Sequence, residues 1–270
     1  MKTIRVGGFF TGIGAHVSAC DRLESEDVHF IHVFSCEFEP KTAQAFDTIH
    51  SNHPPIRNLG DVTSVHDIGG ENRVDLVYWT PPCQDISVAG RRAGNSKDSG
   101  TRSSLAFEIP RILRATDQRE RPKYLVMEEV PMMVSKKFIG NFEELMGELS
   151  ELGYQHTWGV MNAADYGVAQ SRKRLFVISK LGGVPPELPK PFPLTKCLRD
   201  YLEPEPVDPS YYLSEDRIKG LVWSNQKEEE AGNNFRFQPT TGGGTACTVT
   251  SRAGQRKTDN FLQVSGMEWK

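Results

Sequence analysis

Short apolar runs alternate with amphipathic stretches from residue 4 to residue 180, and this alternation constrains the fold more than any other feature of the chain. Residues 4–10, 30–36, 74–79, 124–130, 154–162 and 174–180 each read as a strand. Helical stretches lie between them: one from the glycine turn at Gly12 and Gly14 through Leu23, then 40–50, 103–115 and 142–152. Pro110 is expected to kink the third of these. Residues 60–63 form a short turn. Strands that alternate with helices pair in parallel, because each crossover carries the chain back over a sheet face. The expected fold is a doubly wound, Rossmann-like α/β sheet.

The texture changes after Lys180. Pro185, Pro186, Pro189, Pro191 and Pro193 crowd a short stretch that reads as a stiff linker over 181–193. An acidic run at 228–230 and the triglycine at 242–244 follow. The expected organisation is a catalytic and cofactor-binding domain over 1–180 and a small irregular lobe over 194–270. With 270 residues, 37% of them hydrophobic, the chain can build one good core and a lesser one. A net charge of −3 excludes a general polycation, so any nucleic-acid contact must use a local basic face. Five cysteines without close pairing argue against a disulfide scaffold and against zinc, and fit a reducing cytoplasm. No histidine stands at metal-ligand spacing from a cysteine, and no metal is expected. The start of the chain runs straight into a strand, so neither a secretory leader nor a membrane span is expected.

Chemistry concentrates where the third strand stops. Pro81 and Pro82 end it, since neither can donate to a sheet ladder. Cys83 follows, at the carboxyl end of a strand, where open α/β sheets place their reactive groups. It reads either as a nucleophile or as a buried structural thiol. Residues 87–100 are polar and glycine-rich and carry Arg91, Arg92 and Lys97, which suits a cationic lid over a polyanion. Earlier in the chain, Gly12 and Gly14 follow the first strand and permit close approach of a ligand to the backbone. Glu37, which ends the second strand, is placed to hold a ribose, and Asp61 to hold an adenine amino group. Both NAD and S-adenosylmethionine fit these features. Val17 stands where a dinucleotide site has its third glycine, which favours the smaller, pyrophosphate-free cofactor.

Taken in order, these motifs resemble those of the cytosine-5 DNA methyltransferases. The run Phe10, Thr11, Gly12, Ile13, Gly14 resembles the first cofactor motif of that family, and Phe10 there implies stacking on adenine. Cys36-Glu37 resembles its ribose motif and Gly60-Asp61 its adenine motif. Pro81-Pro82-Cys83-Gln84 resembles the nucleophile motif, Glu128-Glu129-Val130 the Glu-Asn-Val motif, and Gln170-Ser171-Arg172-Lys173-Arg174 the Gln-x-Arg-x-Arg motif. The resemblance covers about 5–180. Gly8 stands where the family has an acid, and Glu129 where it has asparagine.

The resemblance implies a reaction. Cys83 adds to carbon-6 of a cytosine flipped out of double-stranded DNA, and carbon-5 then takes the methyl group of S-adenosylmethionine. Glu128 assists at nitrogen-3, and its apolar strand favours a raised pKa. Arg172 and Arg174 hold the base carbonyl and the nucleophile loop. Phe10, Thr11, Gly12, Ile13, Gly14, Glu37, Asp61 and Pro81 hold the cofactor, while Gln84, Ser87, Arg91, Arg92 and Gln170 face the DNA. Arg102 adds to the phosphate contacts. Compact size and the loop after Cys83 resemble prokaryotic or phage enzymes, with restriction-modification or self-protection as the implied role. Methylation of tRNA, a non-catalytic homologue and a plain NAD-binding protein are the alternatives. The family's late Arg-x-Leu-Gln-Gly and Gly-Asn motifs are missing, which suggests either a truncated chain or the larger piece of a split enzyme whose second polypeptide supplies them. Cys20, Cys36, Cys197 and Cys247 are expected to be inert, and Tyr154 and Trp158 to be core.

Overall fold

The structure, a computed structural model, describes residues 1–82, 102–204, 207–232, 239–249 and 260–263. It divides into two compact units, Met1–Met161 with Arg174–Pro189, and Asn162–Lys173 with Lys190–Lys270.

The first unit is built on a seven-stranded sheet. Its strands are β1 (Lys2–Phe9), β2 (Val28–Ser35), β3 (Arg57–Asn58), β4 (Leu76–Trp79), β5 (Tyr124–Glu129), β6 (Tyr154–Asn162) and β8 (Lys173–Leu181), in the spatial order β3-β2-β1-β4-β5-β8-β6. The pairs from β3 through β5 are parallel, and β8 runs antiparallel to β5. Helices α1 (Ala15–Leu23), α2 (Pro40–Ile49), α3 (Glu108–Ala115) and α4 (Ile139–Glu151) connect them. The doubly wound α/β architecture expected from the alternation is the one observed.

Burial follows position in the sheet. Central β1 is buried along its whole second half, residues 6–9, as a strand covered on both faces must be. Its glycines permit this packing. A Cβ on Gly7 would lie 2.3 Å from the Phe34 ring, and one on Gly8 would lie 2.7 Å from His16 Nε2. Strand β5 alternates strictly, with Leu125, Met127 and Glu129 buried and their neighbours half-buried. Phe9, Phe34, Trp79, Ile112, Leu125 and Leu149 belong to the one continuous core.

Two expectations need correction here. Pro110 does not interrupt a long helix. A 3-10 segment covers Arg102–Phe107 and the α-helix starts at Glu108, so Pro110 falls in the first turn, where its missing N–H breaks no helical bond. Trp158 is not core: it is 46% exposed and packs edge-on against Phe142. Tyr154 is buried as expected, and its hydroxyl donates to Pro122 O at 2.7 Å.

In the second unit, β7 (Gln170–Ser171) pairs in parallel with β9 (Ala246–Cys247). The sequence reading had only short polar stretches here, but Glu215–Glu230 forms a 16-residue helix, α5. Ser214 caps it by accepting from Arg217 N, and Glu215 and Asp216 sit in the first turn, where carboxylates favour the helix dipole. Of its apolar residues only Leu221 is buried, so no apolar stripe marked it in the sequence.

Candidate functional site

The sheet's register assembles the site at the carboxyl edge of its parallel strands. Phe9 pairs with Trp79, and Trp79 with Met127. One residue further along, Phe10, Thr80 and Glu128 therefore form a row. At about 4.8 Å between strands, Phe10 and Glu128 are about 10 Å apart. From this row the chain leaves β1 towards β2, while β4 and β5 lie on the other side, which makes a topological switch point.

The turn after β1 is held in an uncommon conformation. Phe10 has φ 55°, the one positive φ of a non-glycine residue among those described. Its carbonyl accepts from Thr80 Oγ1 at 2.7 Å, while Thr80 N donates to Phe9 O at 3.2 Å and Thr11 N to Cys36 O at 3.3 Å. Three strand ends thus fix one turn. Gly12, at φ 54°, has no atom of a described residue beyond its own chain neighbours within 4 Å of where a Cβ would stand, so the space above it is open. Thr11 Oγ1 is buried with no hydrogen-bond partner.

Glu37 closes the turn from β2. Its Oε2 accepts from Gly12 N at 2.9 Å and its Oε1 from Glu39 N at 3.0 Å. Each oxygen keeps a further lone pair. Asn58 clamps this segment: its Oδ1 accepts from Glu37 N and Gly60 N, both at 3.0 Å, and its Nδ2 donates to Glu37 O at 3.1 Å. Asp61 accepts from Thr63 N through Oδ1 at 3.0 Å. Cys36 Sγ donates to Gly60 O at 3.1 Å. Burial pushes the Cys36 thiol up to about 12, with Asp61 and Glu37 adding to the shift, so it stays a thiol. The set fits a nucleoside: two carboxylates for hydroxyl and amino groups, an open glycine, and exposed apolar Ile13 and Phe38 nearby in sequence. It suits a phosphate poorly. The Gly12 amide that would receive a phosphate already faces a carboxylate.

At the other end of the row stand two adjacent carboxyls in opposite environments. Glu128 is half-buried, and its Oε1 accepts from Arg174 Nε at 2.7 Å across the β5–β8 pair. Glu129 is 3% exposed and accepts from Val130 N. Burial pushes Glu129 up to about 8, and the Glu128 charge adds to the shift. The sequence reading assigned the desolvated carboxyl to Glu128. The structure assigns it to Glu129, because the buried face of β5 falls on the odd-numbered residues.

The remaining expected residues separate. Pro81 is buried at the end of the described β4 segment. Gln170 lies in β7, opposite Ala246. Arg172 N donates to Asn162 Oδ1 at 2.8 Å, and its carbonyl accepts from Ala163 N at 3.0 Å. Gln170 and Arg172 belong to the second unit and Arg174 to the first. Cys83, Gln84, Ser87, Arg91, Arg92 and Lys97 lie outside the described residues, as does the side chain of Arg102. Sequence reasoning missed Thr80 and Asn58. Asn58 stands two residues before a glycine, the setting of an asparagine-anchored turn, which was a usable signal. Thr80 carried none, because its role depends on strand register.

Comparison with known proteins fits this geometry. The sequence profile described as C-5 cytosine-specific DNA methylase matches residues 4–265. The type II methyltransferase M2.ScrFI of Lactococcus lactis subsp. cremoris is 39% identical over 60% of the chain, and the match spans 44% of that relative's length. The type II methyltransferase M.HaeII of Haemophilus aegyptius is 27% identical over 99% of the chain and 79% of its own length. The crystal structure of S. pombe Dnmt2 methyltransferase has the same fold, with a TM-score of 0.70 at 20% identity over 99% of the chain and 78% of that structure. A second polypeptide finds no support among these relatives. No described helix is long and apolar enough to cross a membrane. The motif order, the switch-point site and the profile match over nearly the whole chain agree: the chain belongs to the C-5 cytosine-specific DNA methylase family.

Proposed function

We propose that the chain methylates carbon-5 of cytosine in double-stranded DNA, with S-adenosylmethionine as donor and Cys83 as a transient covalent nucleophile. The observation that carries this reading is the Glu128–Arg174 pair, at 2.7 Å, in the same edge row as the glycine turn. A cofactor fold alone does not require a buttressed carboxyl there. A reaction that places charge on a base ring does.

Cytosine carbon-5 is a poor nucleophile. Addition of a thiolate to carbon-6 turns the ring into an enamine, and a cysteine suits the step because it can also leave. The developing charge falls on nitrogen-3, where the carboxyl of Glu128 shares a proton with it. Arg174 stabilises the carboxylate that results. S-adenosylmethionine, when bound, supplies an electrophilic methyl group on a sulfonium sulfur. Solvent water then takes the carbon-5 proton, Cys83 leaves as the thiolate, and the proton shared at nitrogen-3 returns to Glu128, which restores the ring. Glu37 holds the ribose hydroxyls, Asp61 the adenine amino group and Phe10 the adenine face. Thr11, Gly12, Ile13, Gly14 and Pro81 shape the pocket, and Thr11 Oγ1 finds there the partner it lacks. The carboxylate behind Gly12 supports this cofactor over one with a pyrophosphate. Gln84, Ser87, Arg91, Arg92, Gln170 and Arg172 engage the flipped nucleotide and its phosphates. Base reading falls to residues 194–270, with a role in restriction-modification or in phage self-protection.

The test is a covalent trap. Purified chain, S-adenosylmethionine and duplex DNA carrying 5-fluorocytosine in varied contexts should give a band that survives denaturation, and Cys83→Ala should abolish it. Persistence of the band in Cys83→Ala would overturn the mechanism. A band with tRNA and none with DNA would move the substrate to RNA.

A further inference from the structure

Four of the chain's histidines converge on the side of the first unit formed by α1, β2 and the end of α2. His16 lies in α1, His32 in β2, His50 caps α2, and His53 stands in the turn that follows. The rings of His16 and His32 lie 6.1 Å apart between centroids, those of His32 and His53 5.3 Å, and those of His50 and His53 6.1 Å. Asp21, in the last turn of α1, reaches the same cluster. His53 Nε2 stands 3.2 Å from each of its carboxylate oxygens. Nothing in the proposed methyl transfer uses these groups.

We propose that Asp21, His50 and His53 form a binding site for one divalent transition-metal cation of the zinc class. One ligand atom from each of the three lies within 4.8 Å of the others. Ligands about 2.1 Å from one cation at the tetrahedral angle are about 3.4 Å apart, so the His53–Asp21 edge already has the required length. His50 has the second contact that a metal-bound imidazole needs. Its Nε2 lies 3.0 Å from Ile13 O, and a carbonyl can only accept, so Nε2 carries the proton and Nδ1 keeps the lone pair. Two neutral imidazoles and one carboxylate are a borderline-soft set that suits zinc, cobalt or nickel better than calcium or magnesium.

Two further observations support the site. Both ring nitrogens of His32 are buried with no hydrogen-bond partner, and so is Nδ1 of His16. An imidazole always carries a proton on at least one nitrogen, so His32 is short of a polar neighbour that a hydrated cation would provide. Asp21 is 41% exposed and gives the cation a way in from solvent. Occupancy would also bear on the cofactor turn, because His50 is bonded to Ile13 within that turn and packs against Gly14.

The test uses the full chain with zinc and with cobalt. Calorimetry should give one saturable zinc site, and Asp21→Asn and His53→Gln should each weaken it by more than about 100-fold, since loss of an outer-sphere partner alone weakens metal sites by 10–100-fold. The cobalt complex should absorb in the visible without a thiolate charge-transfer band. In the unmutated chain, cobalt should shift and broaden the imidazole proton resonances of His50 and His53 while those of exposed His66 stay in place, a readout that needs no variant. Equal zinc affinity in the chain and both variants would overturn the proposal. So would a thiolate charge-transfer band, or equal shifts at His66.

Discussion

The two ends of the edge row are made of different materials. At the β1–β2 end the working groups are main chain: the positive φ of Phe10, the open Gly12, and amides and carbonyls tied by Thr80, Asn58 and Glu37. At the β5–β8 end they are charged side chains: Glu128 against Arg174, with Glu129 buried behind. A ligand that only has to be held can be met by fixed backbone geometry. A ring that gains charge during reaction needs groups whose charge can respond. Substitutions at the first end should therefore change affinity, and substitutions at the second should change rate and pH dependence.

The largest expected effect is at Glu128. Glu128→Gln keeps the shape and removes the proton-sharing carboxyl, and should lower the methylation rate by about two to four orders of magnitude with cofactor affinity nearly unchanged. A comparable loss of cofactor binding, measured by calorimetry, would erase the distinction between the two ends.

Glu129 should govern stability against pH. Its carboxyl, pushed up to about 8 in the fold, keeps its proton between about pH 4.5 and 8, while the unfolded chain releases it. Stability is therefore highest below pH 4.5, falls as pH rises from 4.5 towards 8, and levels off above 8. Glu129→Gln removes the dependence. Its advantage over the unmutated chain should grow from near zero at pH 5 to a few kcal/mol at pH 8.5, at about 1.4 kcal/mol per pH unit before relaxation. Urea midpoints across this range provide the measurement, and parallel profiles for the two proteins would show that Glu129 is not buried as described.

At the backbone end, Glu37→Ala should weaken S-adenosylmethionine binding by about 1–3 kcal/mol, the worth of a charge-assisted hydrogen bond. It should leave the chemical step unchanged once cofactor saturates. A fall in the saturated rate instead would place Glu37 among the rate-determining groups.

What the sequence disclosed divides along the same line. The strand and helix order was legible because apolar runs and glycine turns are local signals. Gly12, Gly14, Glu37 and Asp61 were legible because each follows such a run. The opposite fates of Glu128 and Glu129 were half legible: their alternation followed from the strand, but which face was buried did not. The partnership of Thr80 with Phe10 depends on strand register, which no short window contains. The histidine cluster was illegible for a similar reason. His50 and His53 are three residues apart, yet Asp21 and His32 reach them only when α1, β2 and α2 pack together. Helix α5 was hidden by its polar composition, although Ser214 followed by Glu215 and Asp216 marked its start.

The smallest expected effect sharpens the comparison most. A methyl group on Gly12 would meet no described residue beyond its chain neighbours, since none has an atom within 4 Å of its Cβ position. Gly12→Ala should therefore lower stability only by the strain of an L-residue at φ 54°, about 1–2 kcal/mol. That same methyl group enters the space where the cofactor is proposed to lie, so S-adenosylmethionine affinity should fall by more than the stability does. Thermal unfolding and calorimetry on one preparation separate the two quantities. If stability falls while affinity is retained, the open space above Gly12 is not the cofactor's, and the backbone end serves the fold alone. If affinity falls and stability holds, backbone conformation at this end was set for the ligand, as ionisation at the other end was set for the base.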